Sequence, residues 1–257
     1  WQNSNWITDR IKLNNGTDQL LAQEVWNILS EGKYYIYFYA NDTFGNGNQK
    51  SKLQIKDTIA PIIIVNSPIE GGSYENAPYI NITVYDWSLD DIWYEVEGFP
   101  DIEYLDNNTA ELLNQDYFNW TEISDGPIQI KIRADDSFNR ITTIIISIYK
   151  DTEEPVIIIN SPEQYAVYNN PPIINAVFND LNPGFLWYRV QQNSTWKSDK
   201  ILLSNNTDQL LKQDIWDNQL NEGSFYIYFY ANDTLGHNEV KDLRFNKDTI
   251  IPNLIII

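Results

Sequence analysis

Cysteine and methionine are absent from these 257 residues, and histidine occurs once, at His237. Without cysteine there is no disulfide framework, no thiolate metal site and no thiol nucleophile. One imidazole excludes any metal site built on a histidine cluster, and no nucleophile motif or phosphate-cradling loop accompanies it. Positive charge is scarce as well: 17 Lys plus Arg stand against 36 Asp plus Glu, a formal net charge of -19. Such a chain repels nucleic-acid phosphates and anionic lipid, so a nucleic-acid partner is excluded. It contains no apolar run long enough for a membrane-spanning helix, no signal peptide and no lipidation motif, so an export signal is expected to lie outside this stretch.

Aromatic and apolar residues are plentiful. With 42% hydrophobic residues, 9 Trp, 17 Tyr and 10 Phe, the chain has material for several cores and does not read as disordered. Its most organised stretch is EGKYYIYFYANDTFGN at Glu31 to Asn46, which returns as EGSFYIYFYANDTLGH at Glu222 to His237. Tyr34, Ile36, Phe38 and Ala40 alternate with Tyr35, Tyr37 and Tyr39, the period of a strand with one buried face. Glycine opens each strand and an Asn-Asp-Thr-x-Gly turn closes it.

The string KDTIAP at Lys56 to Pro61 recurs as KDTEEP at Lys150 to Pro155 and KDTIIP at Lys247 to Pro252. Asp57 to Asp151 is 94 residues and Asp151 to Asp248 is 97, the length of a small sandwich module. Proline here suits the first residue of an edge strand after a stiff linker. The organisation read from this is the C-terminal part of a module at 1–56, complete modules at 57–150 and 151–247, and the first strand of a further one at 248–257. First and third modules share QNSNW with QNSTW and NGTDQLL with NNTDQLL, so the larger repeat is a pair of modules.

Each complete module then predicts a strand at Tyr79 to Tyr85 or Ile173 to Asn179. Ile80, Ile82 and Val84, and likewise Ile174, Ala176 and Phe178, are expected to face the core. A third strand carries IWYEV or LWYRV, with Trp93 and Trp187 as expected core anchors. Thr17 to Trp26 and its counterparts at Thr109 and Thr207 fit a short helix capped by Thr17 or Asp18, and fit a strand equally well. A last strand follows at Lys50 to Ile55, Ile141 to Tyr149 and Glu239 to Phe245. The fold class predicted is all-β: tandem immunoglobulin-like antiparallel β-sandwich modules joined by short DTxxP linkers.

With DTxAP linkers, a third-strand WY and the G-x-Y-x-I-x-F-x-A-x-D-x-x-G-N strand, the chain resembles the Ig-like repeats of large prokaryotic surface proteins, and its Ile- and Asn-rich wording looks most like archaeal cell-surface arrays. The resemblance implies an extracellular, non-enzymatic structural, adhesive or surface-layer role, and no particular ligand.

Four sets of candidate site residues emerge. Asn15, Asn41, Asn81, Asn107, Asn119, Asn193, Asn205 and Asn232 each begin an Asn-x-Ser/Thr sequon, so N-linked glycans are expected. Tyr35, Tyr37 and Tyr39, with Tyr226, Tyr228 and Tyr230, form outward stripes. Such a stripe serves as a glycan rest, an intersubunit contact or a carbohydrate-binding face, or lies under a loop of its own module. Asp57, Asp151 and Asp248 at the linkers, approached by Asp42, Asp86, Asp90, Asp91, Asp136, Asp180 and Asp233 in turns, offer oxygen ligands for Ca2+ at rigid joints. Finally, Asn253, Leu254, Ile255, Ile256 and Ile257 are a candidate donor strand for a neighbouring copy, which would give a polymer. His237 replaces Asn46 in its turn and reads as an exposed turn residue, while adjacent Asp90 and Asp91 point apart on a strand and make no catalytic pair.

Overall fold

The structure, a computed structural model, describes residues 7–8, 11–99, 101–113 and 119–255. Two compact units divide the chain. The first comprises Trp1–Gly72, Ala77–Glu122 and Ile128–Ile148, and the second Ser73–Asn76, Ile123–Pro127 and Tyr149–Ile257. The architecture is the tandem immunoglobulin-like β-sandwich expected from the alternation.

In the first unit, Gly32–Asn41 and Gly47–Lys56 form an antiparallel ribbon in unbroken register, from Gly32 opposite Lys56 to Asn41 opposite Gly47. Ile62–Ser67, Tyr79–Tyr85 and Ala110–Leu112 make a three-stranded sheet. A second sheet runs Ile102–Tyr104, Leu89–Val96, Gly126–Asp136, Ile141–Lys150. Alternate residues of the two sheets supply the buried side chains: Ile63, Ile80, Ile82 and Val84 from one, and Ile92, Tyr94, Val96, Ile130, Ile132, Ala134, Ile146 and Ile148 from the other. β-Branched and aromatic residues suit such half-buried pleated surfaces.

The second unit repeats the plan. Val156–Ser161, Ile173–Asn179 and Gln209–Leu210 form the small sheet. Val167–Tyr168, Asn238–Lys247, Gly223–Asp233, Pro183–Gln192 and Thr195–Trp196 form the large one, with Ile201–Leu202 also paired to Pro183–Gln192. Ile157, Ile174, Ala176 and Phe178 pack in one cluster with Leu186, Tyr188, Val190, Ile227, Phe229, Leu243 and Phe245. Phe225 and Phe245 meet edge to face at 4.0 Å, a geometry favoured by the ring quadrupole.

Two expectations are corrected. In both third strands the inward aromatic is the tyrosine, not the tryptophan: Tyr94 and Tyr188 are buried, whereas Trp93 and Trp187 lie half-buried on the opposite parity. Glu95 and Arg189 share the tryptophan's parity, and a face that carries charge is the solvent face. The Thr17 region does become a helix, Gln23–Ile28, but its N-cap is Ala22 with no side-chain cap bond, so neither Thr17 nor Asp18 caps it. The counterpart after Thr207 is both strand and helix, Gln209–Leu210 followed by a π-turn at Ile215–Gln219. Tertiary burial sets this turn: it delivers Trp216 into the core, edge to face with Phe225 at 5.9 Å.

Candidate functional site

Each Lys-Asp-Thr string follows on the end of a long strand, and its side chains make separate contacts. The lysine, buried in all three copies, points back at the helical turn before it. Lys56 Nζ donates to the carbonyls of Trp26 at 3.0 Å and Leu29 at 2.7 Å. Lys247 Nζ donates to Trp216 at 2.5 Å and Leu220 at 3.0 Å. Lys150 Nζ donates to Ile123 and lies 3.6 Å from the Asp125 carboxylate. A helical turn ends with unpaired carbonyls, and a buried ammonium satisfies them while being satisfied itself. Lys56 and Lys247 also sit over Trp26 and Trp216, at 5.5 and 5.3 Å from the ring centroids.

The threonine is held by the acidic residue that precedes each long central strand. Thr58 N and Oγ1 both donate to Glu31, at 2.8 and 2.6 Å. Thr152 does the same to Asp125 and Thr249 to Glu222. All three pairs are separated by 27 residues. Hydrogen bonds from Thr249 hold the Glu222 carboxyl below the usual range; burial pushes Asp125 up, but the bonds from Thr152 and the charge of Lys150 outweigh it and leave it lowered.

The aspartates of the first two strings, Asp57 and Asp151, each enter a carboxylate cluster. Asp42, Asp136 and Asp233 close the central strands, each folding one oxygen over the backbone N–H groups of the turn that follows. The second oxygen takes the side chain four residues on, which differs in each copy. Asn46 Nδ2 donates to Asp42 at 2.7 Å, Arg140 Nε to Asp136 at 2.7 Å, and His237 Nδ1 lies 2.5 Å from Asp233.

In the first unit, Arg140 also reaches Asp57 at 3.3 Å and Ser88 Oγ donates to Asp57. In the second, Asn182 Nδ2 donates to Asp151 at 2.6 Å and Asn182 N to Asp180 at 2.6 Å. Asp57, Asp86 and Asp136 thus converge in one unit and Asp151, Asp233 and His237 in the other, their ligand atoms within 4.8 Å of one another. Burial raises Asp136 and Asp233, but Arg140 in one case and His237 in the other, with the turn amides, bring both below the usual range. Asp86 and Asp180 move the other way, raised by burial and by the neighbouring carboxylates. Burial lowers His237, yet the Asp233 bond and the charges of Asp233, Glu75 and Asp151 leave it raised.

Of the calcium candidates, the structure gathers Asp57, Asp86 and Asp136 in one cluster and Asp151 and Asp233 in the other. Asp42 and Asp248 are exposed, and Asp248 accepts only from Ile250 N among the described residues. Asp91 is tied through its amide to Asp135. His237 is half-buried and paired rather than an exposed turn residue.

The tyrosine stripes differ between copies. Tyr35 and Tyr39 are exposed, whereas Tyr226, Tyr228 and Tyr230 are half-buried, as is Tyr37. Trp187 stacks on Tyr230 at 5.5 Å with the rings 8° apart, and Trp196 meets Tyr228 at 5.2 Å. Lys200 and Arg189 lie over these tryptophans at 3.7 and 4.1 Å. Asn15, Asn41, Asn119, Asn193 and Asn205 are exposed, and Asn81, Asn107 and Asn232 half-buried. Asn253, Leu254 and Ile255 are exposed and outside any strand, while Ile256 and Ile257 lie outside the described residues.

Residue-by-residue reading of the sequence overlooked Lys56, Lys150 and Lys247, the acidic partners of Thr58, Thr152 and Thr249, and the Ser88 and Asn182 bridges. One signal was there to find: the acidic residue recurring 27 positions before the threonine of each Lys-Asp-Thr string.

No family model and no curated protein matches the chain. Solved structures similar to it include a tetra-tandem repeat in the extending region of a large adhesion protein, at 12% identity and TM-score 0.38, covering 86% of this chain and 58% of that one. A Ca2+-stabilized adhesin of an Antarctic bacterium is similar at 8% identity and TM-score 0.34, covering 84% and 57%. Fibronectin(III)-like modules of Clostridium thermocellum CbhA are similar at 12% and 0.34, covering 76% of this chain and all of that one. The chain spans less than two thirds of both adhesion proteins.

Proposed function

We propose that the chain is a non-enzymatic, extracellular repeat segment of a glycosylated surface protein, built into a surface layer, stalk or filament. Residues 57–150 and 151–247 are its complete modules. The observation that supports this most is the joint: in three copies the last strand is locked to its own helical turn by a buried lysine and to the preceding strand by a threonine. Side-chain investment concentrated where one module gives way to the next is what a mechanical repeat requires. Its partners on this reading are adjoining modules or neighbouring copies. Electron microscopy of the native protein tests it: regular assemblies support it, and dispersed particles count against it.

Exposed Tyr35 and Tyr39 favour a second reading, an adhesin or carbohydrate-binding segment, with a spacer in a larger surface enzyme as a third. Dispersed particles with measurable glycan affinity, lost in Tyr39→Ala, would select the second.

Calcium belongs to this proposal at one cluster only. Around Asp57 and Asp136 the Arg140 guanidinium already supplies the positive charge, and the site does not fit a metal cation. The carboxylates of Asp151 and Asp233 provide hard oxygen donors that fit Ca2+, with His237 displaced from Asp233. A melting temperature indifferent to chelator would remove calcium from the account.

A further inference from the structure

The eight sequons are equivalent as sequence and unequal as chemistry. In Asn107, Oδ1 accepts from Val84 N at 2.9 Å and Nδ2 donates to Val84 O at 2.9 Å. Asn205 repeats this with Phe178, at 3.0 Å for each bond. Each side-chain amide thus pairs with both backbone groups of one strand residue, as a neighbouring strand would. Asn205 is exposed, so solvent exposure alone does not reveal that its amide is engaged.

The pairing decides what the nitrogen can carry. To face one residue with both Oδ1 and Nδ2, the amide uses the hydrogen on the same side as its oxygen. A substituent on a planar secondary amide in the ordinary trans form occupies that same position. A sugar on Asn107 or Asn205 would therefore stand where the strand carbonyl now lies. Attachment before folding does not relieve the conflict, because the bond could not then form.

Asn41 and Asn193 are the opposite case. Asn41 is exposed at the end of the Gly32–Asn41 strand, and Asn193 is exposed at a tight hairpin turn, where it and Ser194 have φ of 50° and 59°. Among the described residues neither side-chain amide has a hydrogen-bond partner.

We propose that Asn41 and Asn193 are glycan acceptors, and that Asn107 and Asn205 are strand pins which carry none. In the transfer step the Asn nitrogen forms the bond to the sugar anomeric carbon, the bond from that carbon to a polyprenyl-phosphate donor breaks, and one amide proton is lost. The acceptor half rests on the glycoprotein reading above; the pin half does not.

Glycopeptide mass spectrometry of the protein from its native host tests the division. Sugar on Asn41 and Asn193, with bare Asn107 and Asn205, is the expected result, and sugar on either pin overturns it. Thr207→Ala, which destroys a sequon but keeps Asn205, should leave the intact mass short of nothing but the threonine change; loss of a glycan overturns the assignment. Sugar nowhere overturns the acceptor half together with the glycoprotein reading. Unglycosylated recombinant protein judges the pins separately: Asn205→Asp should lower the melting temperature by about 5 °C and Asn193→Asp should not. Equal melting of both variants and wild type overturns the pins.

Discussion

Tyr188 is fully buried in the second unit, and its hydroxyl has no hydrogen-bond partner among the described residues. Burial pushes its pKa up to about 12. An unpaired buried hydroxyl costs free energy that a phenyl ring does not. Tyr188→Phe is accordingly expected to raise stability by about 1 kcal/mol, measured by urea denaturation. His237 makes a pH-dependent contribution. Its pKa lies above the ordinary 6.5, because Asp233 faces it directly and Asp151, Asp180 and Glu75 add to the field. A raised histidine stabilises fully below pH 6.5, and that contribution disappears as pH rises through the folded value. His237→Asn, which copies the Asn46 turn, should flatten the stability profile above pH 6.5 in thermal melts. Asp233 has the opposite sign: its lowered pKa stabilises above 3.8 and the gain is lost as pH falls.

Elements are held in place by a few side chains at their ends. Lys247 closes the helical turn whose purpose is to bury Trp216, and its replacement leaves two carbonyls without a donor. Lys247→Met should cost about 2 kcal/mol by denaturant titration, since hydrogen bonds from charged donors are among the stronger ones. The strand Pro183–Gln192 carries a register shift between Pro183 and Phe185, opposite Asn232 and Asp233. A Cβ on Gly184 would lie 2.6 Å from the Asn232 carbonyl oxygen, and that atom is backbone. Gly184→Ala should therefore destabilise by about 1–3 kcal/mol, with no compensating rotamer available. The long strands were legible because their alternation is strict: Tyr79–Tyr85 and Ile173–Asn179 coincide with the sequence-based bounds. The inward face of the third strand was not legible from its aromatics, because tryptophan and tyrosine are adjacent and only Glu95 and Arg189 mark the outer parity.

For the molecule as a whole, charge dominates. A net charge of -19 is self-repulsion spread over the surface, relieved locally by Arg140 and the buried Lys56, Lys150 and Lys247. Screening it should help: raising monovalent salt from about 0.01 M to 0.5 M shortens the Debye length from about 30 Å to a few ångströms. The melting temperature is expected to rise with salt in calorimetry, and a fall would mean that local ion pairs outweigh the repulsion. The linear reading brought turn aspartates towards the linkers but did not single out which of them meet, because the members come from a linker, a turn and a strand end. Asp57 meets Ser88 and Arg140 only once three separate segments are folded together.

From the sequence alone came the alternation, the repeated strings and hence the strands and their order, since these depend on local periodicity and on prolines and glycines acting where they stand. The tertiary structure decided which parity of the third strand faces inward, which cation or amide completes each aspartate turn, and which sequon asparagine is already spoken for. Those choices depend on groups far apart along the chain, whose desolvation and pairing become defined only when the sheets close on one another.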